Sequence, residues 1–296
     1  MKTLLASFFL PFLPFLSLAQ PGNPPLAVTR LTTDGAFKSH LQWSADGKKL
    51  LFTRIHQGRM ELSAMEALPG AKAIPLIVPS PNTPHFDGHW SPDSALVVYV
   101  HDTLQGTDGK LQINTVQADG VGVKTLVPHK AFDESPRFSP DGKSIAWVST
   151  RDGNQEIYSL EMASGKINRL TQNPAFDNNC SWKGDGKKIA FASSRSGNFE
   201  ICSMNQNGDQ VLRLTNHPAL DCWPVFSPDG KSIAFTSNRT GNYDIFLMQE
   251  NGENPRNLTS HPGQDNFASF SPDGKRLAFI SNRDGGFDIY TLRLQE

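Results

Sequence analysis

Four aspartates, Asp133, Asp177, Asp221 and Asp265, recur at intervals of 44 residues. Four arginines keep the same interval: Arg151, Arg195, Arg239 and Arg283. A ring of carboxylates suits a cation that prefers oxygen ligands, such as a divalent metal held in a channel. A ring of guanidinium groups suits an anion or a peptide. Four residues before each aspartate stand His129, Asn173, His217 and His261. His and Asp side chains on neighbouring units could therefore also assemble a metal site. The same residues have a plainer use. An aspartate at the start of a strand caps backbone amides and an arginine pairs with it, so a repeated pair would hold sheets in register. Both readings stay open on the residues alone. No single asymmetric catalytic set accompanies them. The chain has no H-E-x-x-H, no C-x-x-C, no G-x-S-x-G and no phosphate-cradling glycine loop.

The constant interval points to an internal repeat. The segments QWSADGKKLLFTR from Gln42, HWSPDSALVVYVH from His89 and RFSPDGKSIAWVSTR from Arg137 align with SWKGDGKKIAFASSR from Ser181, VFSPDGKSIAFTSNR from Val225 and SFSPDGKRLAFISNR from Ser269. Anchored on Ser44, Ser91, Ser139, Lys183, Ser227 and Ser271, the spacings are 47, 48, 44, 44 and 44 residues. Each copy holds four strand-like runs. In the P-D-G turn between the first two, proline presets φ, aspartate bonds back to the chain and glycine takes positive φ. Four antiparallel strands in one such period make a propeller blade, so the chain reads as an all-β, six-bladed β-propeller.

The last copy stops after its third strand, at Leu292 to Glu296. The missing fourth strand stands at the other end, where Val28-Thr29-Arg30-Leu31-Thr32 matches Arg213-Leu214-Thr215. The N-terminal strand is therefore expected to join the C-terminal blade and close the ring. Strand order puts the S-P-D-G turns on one face. The aspartates, the histidines and the arginine loops lie on the other, around the channel mouth. In the first two blades the aspartate slot holds Lys38 and His85, and this departure is where a partner is expected to bind.

The repeat L-T-x-H-P-x-x-D, aromatic-S-P-D-G-K, I-A-F, S-x-R-x-G and (D/E)-I-Y resembles the WD-like repeat of the TolB family over residues 26–296. It is also similar to propellers attached to prolyl-oligopeptidase-type peptidases and to those of some carbohydrate lyases. The resemblance to TolB implies a periplasmic protein that works with a peptidoglycan-associated lipoprotein in envelope integrity or transport. The family pattern places a further domain before the propeller, and the stretch from Gln20 to Val28 would not hold one. The lyase resemblance implies the competing reading: an enzyme acting on a polysaccharide through a metal or a His/Arg set in the funnel.

A formal net charge of −1 gives no electrostatic reason to expect nucleic acid or a strongly charged membrane surface as partner. Residues 1–19 read as a signal peptide. Lys2 precedes an apolar run from Leu4 to Leu16, with Ser17 and Ala19 as the small residues before cleavage. Residues 20–296 would then form one propeller domain, periplasmic or secreted, monomeric and without a membrane span. Of three cysteines, Cys202 takes a core position, while Cys180 and Cys222 leave a bridge between successive repeats open. The expected function is a non-enzymatic, protein-binding scaffold with an envelope lipoprotein as partner and no resident cofactor.

Overall fold

The computed structural model describes residues 26–78, 83–103, 110–128 and 131–294. The signal-peptide reading and His129 lie outside those residues. The described chain forms six four-stranded antiparallel sheets. The first strand, β1 (Val28–Arg30), belongs to the last blade. Blade one is β2 (Lys38–Trp43), β3 (Lys49–His56), β4 (Arg59–Glu66) and β5 (Ile74–Pro75). Blade two is β6 (His85–Trp90), β7 (Leu96–Asp102), β8 (Leu111–Gln117) and β9 (Lys124–Val127). Blade three is β10 (Asp133–Phe138), β11 (Ser144–Ser149), β12 (Glu156–Glu161) and β13 (Ile167–Arg169). Blade four is β14 (Asp177–Trp182), β15 (Lys188–Ser193), β16 (Glu200–Asn205) and β17 (Leu212–Arg213). Blade five is β18 (Asp221–Phe226), β19 (Ser232–Ser237), β20 (Asp244–Gln249) and β21 (Arg256–Asn257). Blade six is β22 (Asp265–Phe270), β23 (Arg276–Ser281) and β24 (Asp288–Arg293), completed by β1.

The second strand of each blade is apolar on both faces because each blade is sandwiched between two others. Ile233, Ala234 and Phe235 are all fully buried, for example. The core is accordingly divided into interblade layers. Ala146, Ile157 and Leu170 of blade three pack on Phe191 and Cys202 of blade four. Ala190 and Ile201 of blade four pack on Phe226 and Phe235 of blade five. All three cysteines are free thiols, so the bridge left open between Cys180 and Cys222 is not formed.

The turns behave as their sequence predicts. Ser139 Oγ donates to Asp141 Oδ1 at 2.6 Å, and that carboxylate accepts the Lys143 amide at 3.0 Å. Ser91, Ser227 and Ser271 repeat the arrangement. Blade four departs, carrying Lys183-Gly184 where four of the others carry Ser-Pro and blade one carries Ser44-Ala45, and packing explains it. A Cβ at Gly184 would meet the Pro228 carbonyl oxygen at 2.8 Å. Lys183 instead reaches Glu250 of the next blade.

The seam reproduces the bonding inside an ordinary blade. In blade four Thr215 Oγ1 donates to Glu200 at 2.6 Å and Arg213 Nη2 donates to the same carboxylate at 2.7 Å. At the seam Thr32 Oγ1 and Arg30 Nη2 donate to Asp288, each at 2.6 Å. Strand β1 pairs with β24 in the register Val28↔Leu292, Thr29↔Thr291 and Arg30↔Tyr290.

Candidate functional site

The aspartates open the inner strands of blades three to six, and each is closed to solvent. Each is bound by the arginine of its own blade. Arg151 lies 3.2 Å from Asp133, Arg195 2.8 Å from Asp177, Arg239 2.7 Å from Asp221 and Arg283 2.8 Å from Asp265. The arginines also lie over aromatic rings of the same sheet: Arg239 is 5.3 Å from the Phe235 centroid and 4.8 Å from that of Phe246. Burial pushes the carboxyls of Asp177 and Asp265 up, and the arginine pairing opposes it. Pairs of this kind tie an inner strand to the loop after its neighbour.

The histidines of this face are also engaged. His217 Nδ1 accepts the Ala219 amide at 3.0 Å, and His261 Nδ1 accepts the Gly263 amide at 2.9 Å. The two departures have local partners. Lys38 is buried and reaches Asp34 and the carbonyl oxygens of Ala36 and Phe287, with Asp288 at 3.4 Å, so it braces the seam. His85 stacks on His101 at 5.2 Å, and burial pushes it down to about 4. Among the described residues no group of three or more His, Cys, Asp or Glu side chains is arranged to hold a metal ion.

The cavity of the propeller lies at the other end of the channel. It measures about 530 Å³ and extends from the middle of the inner strands to the S-P-D-G turns, with Pro92, Pro140, Pro228 and Pro272 at its rim. Its shape comes from a bulge that interrupts every inner strand. At the bulge His40, Asp87, Ser135, Asn179, Trp223 and Phe267 take φ between +48° and +55°. These six positions stand four residues before the anchor in each repeat. Left-handed backbone is costly for residues other than glycine, and for an aromatic residue more than for Asn or Asp. Holding six such residues around one axis is the kind of local strain that marks working sites.

The six side chains differ from blade to blade. Arg137 of blade three donates from Nη1 to Asp87 Oδ1 of blade two at 2.8 Å. His40 of blade one places Nε2 3.5 Å from Asp87 Oδ2. Burial alone would raise the Asp87 carboxyl, but Arg137 and His40 outweigh it and hold it below its ordinary range. Burial lowers His40, against the pull of Asp87. Trp223 of blade five and Phe267 of blade six meet with centroids 4.7 Å apart. Side chains two residers before the anchor latch neighbouring blades. The Trp90 amide donates to Gln42 Oε1 at 2.5 Å, the Phe138 amide to His89 Nδ1 at 3.3 Å and the Phe226 amide to Ser181 Oγ at 3.4 Å.

The cavity is lined by repeated serines and prolines together with His40, Asn179, Trp223 and Phe267 of the column that varies most, and that variation is the sequence signal that marks it.

A family model described as the TolB beta propeller domain matches residues 70–222 and 214–296. The chain belongs to that family. Among curated relatives, a Protein TolB homolog of Chlorobium luteolum is 30% identical over 132 residues, 45% of this chain and 28% of its own length. This TolB-family chain thus aligns with less than a third of that relative. Among solved structures, a putative TolB from Agrobacterium tumefaciens superposes with a TM-score of 0.65 at 23% identity, covering 88% of this chain and 91% of that one. An oligogalacturonate lyase of Vibrio parahaemolyticus superposes with a TM-score of 0.63 at 13% identity, covering 92% and 94%. At these identities the two structures share the fold with this propeller.

Proposed function

We propose that this chain is an exported, periplasmic TolB-type propeller that acts as a non-enzymatic scaffold for an envelope protein, with a lipoprotein as the expected partner. The observation that carries the reading is the contrast between the two ends of the channel. At one end the charged residues are spent on each other, the aspartates and arginines within their own blades and Lys38 across the seam. At the other an open, uneven cavity is framed by a rim of prolines, a concave feature on a broad loop face. The partner is proposed to dock over that rim. Pro140 and Pro228, both on S-P-D-G turns, are the contacts that test it. A double substitution of Pro140→Glu and Pro228→Glu is expected to abolish capture of purified envelope lipoproteins by the immobilised propeller. Capture that survives both charges would overturn docking on this face. Loss of capture on changing Arg195 and Arg239 instead would move the partner to the opposite face.

A polysaccharide-acting enzyme is the second reading. It is favoured by the cluster of His40, Asp87 and Arg137 in the channel, since acid–base groups beside a guanidinium are what a lyase needs. Turnover of uronate polymers by the purified chain, lost on changing Arg137, would establish it over the scaffold reading.

A further inference from the structure

The cavity wall divides into two halves of different chemistry. In a six-bladed ring, blades two and three face blades five and six. Blades five and six present Trp223 and Phe267, with ring planes tilted by 54° and both rings partly open to the cavity. His40 continues this shelf, 4.9 Å from Phe267. Facing it, Arg137 is the one charged side chain among the cavity-lining residues, and Asp87 neutralises it at 2.8 Å. Both lining histidines, His40 and His89, are held low by burial, His89 to about 3. Net charge in the cavity is therefore close to zero.

Trp90 lines the cavity with its ring, while its indole Nε1 is closed to solvent. In the same slot Trp43 and Trp182 donate to backbone carbonyls of the preceding blade, at Ser269 and Arg137. Asn179 adds a carboxamide from blade four.

A pair of tilted aromatic rings facing planar donors, with no net charge and a volume in the range of small-ligand pockets, fits one chemistry well. We propose that the cavity is a binding site for an uncharged pyranose sugar, packed against Trp223 and Phe267 and held through its hydroxyls by Arg137 and Asn179. A pyranose offers a C–H face to aromatic rings and an edge of hydroxyls that accept as well as donate. An acidic sugar would bring an unbalanced charge into a site whose cation is already paired, at a desolvation cost. This site goes beyond the docking of a protein on the rim and does not depend on it.

The test is titration of the full chain, followed by tryptophan fluorescence and calorimetry. The probes are neutral disaccharides (maltose, cellobiose and diacetylchitobiose), digalacturonate and a tryptophan-containing peptide. At least one neutral disaccharide should bind, at least about tenfold more tightly than digalacturonate or the peptide. Trp223→Asn and Phe267→Asn should each weaken it by about tenfold. Asparagine is chosen because Asn179 already holds the equivalent left-handed position, at φ +53°. Absence of binding by all three neutral disaccharides would overturn the proposal. So would binding indifferent to both substitutions, or preference for the acidic sugar or the peptide. Because the rim prolines are untouched, lipoprotein capture by these variants reports separately on the scaffold reading.

Discussion

Arg137 Nη1 of blade three donates to Asp87 Oδ1 of blade two at 2.8 Å, bridging two sheets across the wall of the channel. Asp87 is buried and Arg137 is mostly so. Removing one partner of such a pair strands the other charge away from water, whereas removing both relieves that penalty. Arg137→Met is expected to cost about 3 kcal/mol, and adding Asp87→Asn should restore part of it. Urea unfolding of the two single variants and the double variant checks this. Equal and additive losses would show that the pair does not couple the blades.

The aspartate–arginine pairs of the opposite face predict a different pattern. Asp221→Ala leaves Arg239 without its carboxylate over Phe235 and Phe246. It should lower stability by about 3 kcal/mol while leaving saccharide binding at wild-type affinity. Chemical denaturation and the fluorescence titration measure the two effects on one sample.

Acid should weaken the fold through His89. Its ordinary value of 6.5 falls to about 3 in the folded chain, first through burial and then through Arg137. Between those values the unfolded chain takes up a proton that the folded chain refuses. The stability that neutral His89 allows is complete above pH 6.5 and is lost progressively as pH falls towards 3. His89→Gln should keep the latch to the Phe138 amide, because Gln42 of blade one accepts the same bond from the Trp90 amide of blade two. Its melting temperature should therefore fall less steeply than wild type across that window.

Restoring the repeat motif in blade four should do harm. Gly184→Pro recreates the P-D-G turn after Lys183 but sets a side chain against the Pro228 carbonyl oxygen. Overpacking of this kind costs about 1–3 kcal/mol, so the melting temperature should drop although the sequence becomes more regular.

The blades, the P-D-G turns and the seam were legible because each is written in neighbouring residues or in a column that repeats. Arg30-Leu31-Thr32 could be matched to Arg213-Leu214-Thr215 without knowing any coordinate. The cavity was not legible in the same way. The bulge at His40, Asp87, Ser135, Asn179, Trp223 and Phe267 breaks the alternation of the inner strand, so period two no longer tells which side chain faces the axis. The pairing of Asp87 with Arg137 joins residues 50 apart on different sheets, which no local pattern encodes. Lys38 and His85 stood out as departures, and their partners prove to be Asp34, Asp288 and His101 within the described fold.

The bond from Arg30 to Asp288 spans 258 positions of the chain. Closing so long a loop in one step would carry a length-dependent entropy cost of about 5 kcal/mol. Blades added one after another spread that cost, since each new sheet settles on its neighbour and brings the two ends closer. The first strand of the propeller to be made is then the last to find its place. Until it does, β24 offers a bare edge to any other extended chain. A newly made molecule is thus most exposed to pairing with a second copy at the moment just before it shuts, and Thr32 and Arg30 are the residues that end that interval.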